Sequence, residues 1–352
     1  MGAVIAGALI VEGAARVLRP LADSPEHRFW RYDPELGWSH HPNEQGVFES
    51  ERVGYRGAVK LDSIGARDNQ NGVRGPFART ILVVGDSVTA GFEVDGNQTF
   101  CSLLEKKLSR DGKRYRVVNA GVRGYGTDQA YWMAKRLIPI VKPDIVLYLY
   151  VWNDLTDNVT IKNFYRDYSK PVFVLDGAAK LRTLNLPAAT MPKGSYDFAY
   201  FDRDVKHVTG EFDTSGPIDW LRGHLRSYET LEVFYYRYFI QPYTALPNYG
   251  RIDERYRENL FSAILERMKE ESPRLVVAAF VSNQRVWTYK AAVAKRTARE
   301  LGIEFVDLSP SFASGSEEFI FPKDGHWNVR GHQAAADALY GFFRSARIDR
   351  SR

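Results

Sequence analysis

Four short blocks, lying between residues 85 and 332, carry side chains able to do covalent chemistry. GDSVTAG at 85–91 offers Ser87, a hydroxyl that becomes a nucleophile once a neighbouring base removes its proton. The small residues around it allow a close backbone turn, and its own N–H could face a developing oxyanion. An Asp-Ser turn that merely caps a helix reads the same way. NAGVRGYGT at 119–127 has three glycines, which mean either tight turns or a backbone N–H brought close to a ligand. It is not a dinucleotide fingerprint, because it does not open a first strand-to-helix unit. WNDLTDN at 152–158 supplies Asn153, whose amide either donates to an oxyanion or satisfies local backbone. FPKDGHWNVRGH at 321–332 sets Asp324 and His326 two residues apart, so the carboxylate can orient the ring if the loop curls back. A histidine held in that way can take a serine proton on its other nitrogen. In the same block, Asn328 reads as a helix N-cap and His332 as a packing residue on the helix.

Each block is ambiguous alone, and position is what joins them. Residues 80–84 (TILVV) form a continuous apolar run, the pattern of a parallel strand buried on both faces. A helical period follows over 99–109, then a strand at Tyr115–Val118, a helix over 127–141 and a strand over Asp144–Val151. The alternation resumes with a helix at 252–271, a strand at 274–281, a helix at 286–301, a strand at 303–307 and a last helix from Val329 to Arg344. Strands alternating with helices in this way predict a doubly wound, flavodoxin-like α/β fold with a five-stranded parallel sheet. The blocks fall after strands, or before the last helix, on one side of that sheet, where open α/β sheets bind ligands. Their joint reading is acyl-ester chemistry, with Ser87, His326 and Asp324 as a triad and the Ser87 N–H and Asn153 as donors to the oxyanion.

On these blocks the chain resembles the SGNH (GDSL-type) hydrolases over roughly residues 78–345. The resemblance implies Ser87 as nucleophile, His326 as base and Asp324 as its partner, with Ser87, Gly124 and Asn153 forming the oxyanion hole. Gly124, rather than Gly121, stands at the family's distance after Asn119. The usual family spacing is Asp-x-x-His, whereas this chain has Asp324-x-His326, which is similar to SGNH-like O-acetyltransferases acting on bacterial exopolysaccharides. Asp307, at the end of the fifth strand, is the alternative acid. DPELGW at 33–38 and IGARD at 64–68 look like the preface of bacterial members that carry an N-terminal anchor.

The remaining sequence bounds the reading. The chain has 352 residues and a single cysteine, Cys101, so an internal disulfide framework is excluded. Lys and Arg number 48 against 43 for Asp and Glu, and no basic stripe appears, so no nucleic-acid partner is expected. His40 and His41 have no carboxylates at metal-ligand spacing, so neither a metal nor a cofactor is expected. Residues 3–11 (AVIAGALIV) are apolar but fall short of the ~20 residues of a spanning helix. A truncated membrane anchor, a signal-like remnant and a buried helix compete there. The anchored relatives favour the first for 1–20, hence membrane association through 3–11 and a cell-envelope location, with a soluble cytoplasmic protein the alternative.

Residues 21–79 read as a loop-rich lead-in with short strands, and 80–345 as one catalytic domain. That domain carries an aromatic-rich insertion at about 155–250, packed against the sheet near the site. The leading expectation is a serine esterase that removes acetyl or short acyl groups, with a small ester or an acylated glycan as substrate. The alternatives are an O-acyltransferase acting on a cell-envelope or extracellular polysaccharide, and a non-catalytic glycan-binding module in which Trp220 and Tyr235 stack on sugar rings.

Overall fold

The computed structural model describes residues 28–51, 53–110, 112–159, 169–188, 254–279, 285–312, 318–322 and 324–345, with residues 7 and 10–13 besides. Most of the 155–250 insertion, including Trp220 and Tyr235, and most of 3–11 lie outside the described residues. Among the described residues, no helix is long and apolar enough to cross a membrane. The chain divides into two compact units, one comprising 29–31, 39–158 and 258–352, the other 1–28, 32–38 and 159–257.

The strands are β1 (Trp30–Asp33), β2 (Gly37–His40), β3 (Gln45–Ser50), β4 (Tyr55–Lys60), β5 (Arg79–Gly85), β6 (Tyr115–Asn119), β7 (Ile145–Tyr150), β8 (Val172–Leu175), β9 (Leu181–Leu184), β10 (Leu275–Ala279) and β11 (Glu304–Asp307). The helices are α1 (Ser87–Ala90), α2 (Phe100–Leu108), α3 (Thr127–Val141), α4 (Asp154–Asp157), α5 (Glu254–Glu271), α6 (Arg285–Glu300) and α7 (Val329–Ser345).

The larger unit is built on a five-stranded sheet in the order β6-β5-β7-β10-β11. All its pairings are parallel, with Ile81 opposite both Val117 and Ile145, Leu147 opposite Val276, and Val277 opposite Phe305. This is the doubly wound, flavodoxin-like arrangement expected from the sequence, and its order reverses between β5 and β7. Parallel strands need helical crossovers, which cover both faces and leave no polar side. Accordingly Ile81, Leu82, Val83 and Val84 are fully buried. Because side chains alternate along a strand, Ile81 and Val83 share a face with Ile145, Leu147 and Val276. On that face they pack with Phe100 and Leu104 of α2 and with Ala335, Leu339 and Phe343 of α7. Each fully buried large apolar side chain contributes roughly 1.5–3 kcal/mol. The helices therefore anchor the two chain segments that carry Ser87 and His326 to one rigid layer.

The lead-in adds a structured piece to this unit. β3 and β4 form an antiparallel hairpin, with Phe48 opposite Gly57 and Ser50 opposite Tyr55. Arg67, in the IGARD segment, is buried and donates to the carbonyls of Ala58 (3.0 Å), Ala90 (3.2 Å), Gly91 (2.6 Å) and Val94 (2.6 Å). One guanidinium thus ties β4 to the end of α1 and the loop after it. Burial lowers its pKa to about 10, with Glu93 opposing, so the group keeps its charge at neutral pH. In the smaller unit, β8 and β9 form an antiparallel hairpin in which Phe173 faces Thr183.

Candidate active site

β5 delivers the nucleophile turn. Its last residue, Gly85, is followed by Asp86, whose side chain accepts from Val88 N at 2.9 Å and starts α1. Ser87 is the first residue of that helix, which ends at once on Gly91, whose N–H bonds Ser87 O at 2.9 Å. The capping role of Asp86 and a reactive role for the half-buried Ser87 are therefore compatible.

The histidine arrives on a loop pinned to the core. Trp327 is buried against Phe312 and Phe100, and Asn328 caps α7 by accepting from Arg330 N (2.9 Å) and Gly331 N (3.2 Å). Ahead of it, Phe321 N donates to His326 O, and Asp324 N and Gly325 N both donate to Phe321 O, so Asp324, Gly325 and His326 are all tied back to Phe321. Gly325 sits at φ +86°, a left-handed conformation that a residue with a β-carbon rarely adopts. That single residue brings Asp324 back over the ring. His326 Nδ1 lies 2.6 Å from Asp324 Oδ2, and Nε2 lies 2.8 Å from Ser87 Oγ. Asp307, by contrast, is engaged by Lys295 (3.1 Å) and Ser309 N (3.0 Å).

The donor candidates also sit at strand ends. β6 leads to Asn119, whose amide donates to Thr89 O at 2.9 Å and whose Oδ1 accepts from Gly121 N at 3.2 Å. At Gly121 the backbone passes so close to α1 that a β-carbon would lie 2.5 Å from Ala90 N, a packing reason for glycine. Gly124 lies beyond it at φ +76°, a conformation that turns its peptide out of the strand direction. Asn153 follows β7 and donates to Asp157 Oδ2 at 2.6 Å. Beneath it, Asp154 Oδ2 accepts from Tyr148 Oη (2.6 Å) and Val151 N (2.9 Å). Burial, then the neighbouring Asp86, raises the Asp154 pKa well above the ordinary carboxylate value. His332 is buried on α7, stacked on Phe100, and burial pushes its pKa down to about 3, so it is a neutral packing residue. His40 is likewise buried, with Nδ1 on Gly65 O at 2.9 Å.

Sequence reasoning missed two charged residues here. Glu93, with its side chain only 1% exposed, lies 3.8 Å from His326 Nδ1 and is paired with Arg123. One oxygen each of Glu93 and Asp324 and a ring nitrogen of His326 lie within 4.8 Å of one another, so two carboxylates face one imidazole. Burial, the largest influence, disfavours the charged ring and Arg123 adds to it; the field of Glu93 and the hydrogen bond and charge of Asp324 together outweigh both, so the His326 pKa stands above its ordinary value. Burial would raise Glu93 as well, yet His326 and Arg123 hold it below the usual range, so it stays ionised. The one signal available in sequence was a lone carboxylate within the otherwise apolar GFEV, six residues after Ser87.

Fold and site together define a doubly wound α/β domain with Asp324, His326 and Ser87 hydrogen-bonded in series beyond the carboxyl end of the interior strand β5. Residues 83–211 match the model of the GDSL-like Lipase/Acylhydrolase family. Esterase TesA of Pseudomonas aeruginosa is 39% identical over 70 residues, a stretch covering 20% of this chain and 35% of that esterase's length. Among solved structures, the lipase/acylhydrolase from Enterococcus faecalis aligns at 13% identity and a TM-score of 0.43, covering 76% of this chain and 96% of that one. A catalytic mutant of Axe2, an acetylxylan esterase from Geobacillus stearothermophilus, aligns at 15% identity and a TM-score of 0.43, covering 78% and 98%.

Proposed function

We propose that this protein is a serine esterase of the SGNH (GDSL) type that removes acetyl or other short acyl groups, with a small ester or an acylated glycan as its substrate. The observation that carries the reading is the relay from Asp324 through His326 to Ser87, at 2.6 and 2.8 Å. In this mechanism Ser87 Oγ attacks the ester carbonyl while His326 Nε2 takes its proton, and Asp324 stabilises the imidazolium. The Ser87 and Gly124 N–H groups and the Asn153 amide receive the oxyanion, for which Asn153 gives up its bond to Asp157. Collapse of the tetrahedral intermediate returns the proton to the leaving alkoxide and leaves an acyl-Ser87 ester, which water then cleaves. The match of residues 83–211 to the GDSL-like Lipase/Acylhydrolase family is in keeping with it. The test is hydrolysis of p-nitrophenyl esters of graded acyl length by the wild type and by Ser87→Ala.

The same acyl-enzyme serves an O-acyltransferase if a sugar hydroxyl takes the place of water. The Asp324-x-His326 spacing favours this second reading. Acyl transfer to a glycan that outcompetes hydrolysis would establish it, and hydrolysis alone with every acceptor tried would dismiss it. Membrane association through residues 3–11 is a separate part of the proposal, supported by their apolar run alone and tested by fractionation of the expressed chain.

A further inference from the structure

We propose that Glu93 is a positioning residue acting through His326: an anion set behind the base that stabilises the imidazolium formed when Ser87 gives up its proton. The inference rests on the triad reading above and adds to it a residue that lies outside the four motif blocks. Its first support is placement. Glu93 Oε1 is 3.8 Å from His326 Nδ1, the same nitrogen that bonds Asp324, so both carboxylates act on one edge of the ring.

Its second support is enclosure. The Asp324 side chain is 24% exposed, whereas that of Glu93 is 1% exposed. A charge screened from water acts more strongly at a given distance than one that water reaches. Buried carboxylates persist only when paired, and Arg123 supplies the pairing; its guanidinium lies 5.0 Å over the Phe48 ring, which fixes it in place.

The charged groups around His326 come from every element that meets it. Asp324 belongs to its own loop, Glu93 to the loop after α1, Arg123 to the loop after β6 and Asp86 to the nucleophile turn. His332 on α7 is neutral, and Arg67 faces Glu93 from the lead-in. The proton account is simple. The Ser87 proton moves to Nε2, the Nδ1 proton stays on Nδ1 and is donated to the Asp324 carboxylate, and Glu93 takes no proton; it changes only the energy of the charged ring.

A purely structural ion pair would affect folding, and activity at all pH values alike. An anion acting on the base moves the pH profile. The experiment measures kcat/KM for p-nitrophenyl acetate from pH 5 to 9, with fluorophosphonate labelling over the same range, in the wild type, Ser87→Ala, Glu93→Gln and Arg123→Gln. In Glu93→Gln the acidic limb is expected to move to lower pH by about one unit, the lower end of what a charge at this range does to a neighbour. Its plateau rate is expected to fall roughly tenfold, the factor equivalent to that shift. In Arg123→Gln the buried Glu93 loses the cation that keeps it ionised, so the limb is expected to move to lower pH as well, by less than in Glu93→Gln because the cation opposing the ring is also gone; this arm keeps the inference testable if Glu93→Gln fails to fold. Labelling lost in Ser87→Ala together with an unmoved limb in the folded charge variants overturns the role of Glu93 alone. Labelling that persists in Ser87→Ala overturns the triad reading and this role with it.

Discussion

Asp324 Oδ2 reaches His326 Nδ1 at 2.6 Å although only Gly325 separates the two residues. An extended chain would send side chains two apart along the same face but hold them about 6–7 Å from one another. The left-handed Gly325, at φ +86°, folds the backbone so that the acid meets the ring. The short Asp-x-His spacing is therefore compatible with an acid–base pair provided that the intervening residue tolerates this conformation.

Replacing Gly325 tests that condition. A side chain in the left-handed region costs roughly 1–2 kcal/mol, and more when β-branched. Gly325→Val should depopulate the closed pair about 5–30-fold and lower kcat on p-nitrophenyl acetate by a similar factor. The position is on the surface, where a Cβ would meet nothing within 4 Å, so the melting temperature should change little. Steady-state kinetics with thermal melting checks both.

Asn153 is proposed as an oxyanion donor that exchanges its bond to Asp157 during the reaction. Asn153→Ala should lower kcat on the order of 10²–10³ with the circular dichroism spectrum unchanged. Because Asp157 competes for the same amide, Asp157→Asn should weaken that competition and leave kcat equal or higher; rates measured under saturating substrate decide this.

The raised His326 pKa gives activity and stability opposite dependences on pH. The base must be neutral, so kcat/KM falls as pH drops through a value above the ordinary histidine pKa of about 6.5. For stability the sign is reversed. A group whose folded pKa exceeds its unfolded value contributes fully below the unfolded pKa and loses that contribution as pH rises through the folded one. Across that window the melting temperature of the wild type minus that of His326→Gln should decrease while the rate increases; thermal melts at several pH values check it.

Arg67 is predicted to be the costliest lead-in residue to replace. Its loss leaves the carbonyls of Ala58, Ala90, Gly91 and Val94 without their guanidinium donor. At about 1–3 kcal/mol for each buried group left unsatisfied, Arg67→Met should destabilise by at least about 3 kcal/mol. Urea unfolding, with the midpoint compared at constant slope, measures it.

The legible parts of this molecule are those in which burial writes itself into a run of residue types. β5 and β7 are fully buried parallel strands, so TILVV and DIVLYLYV stand out, and α3 spans Thr127–Val141 as its period implies. The motif blocks were legible because strand ends confine where chemistry can occur. The hairpin of β3 and β4 was harder to read, since its buried residues, such as Phe48 and Val59, are isolated among polar neighbours. Glu93 and Arg123 were scarcely legible, the lone carboxylate in GFEV being the one sign of the pair. A charged residue in sequence looks solvated, and only the fold shows that these two neutralise each other beside His326.

The central claim is that Ser87 is a nucleophile activated by His326. Fluorophosphonate labelling, with the modified residue located by peptide mass spectrometry, tests it most directly. One adduct is expected, on Ser87, which disappears in Ser87→Ala and forms far more slowly in His326→Gln. An adduct elsewhere, or full hydrolysis of p-nitrophenyl acetate by Ser87→Ala, would contradict it.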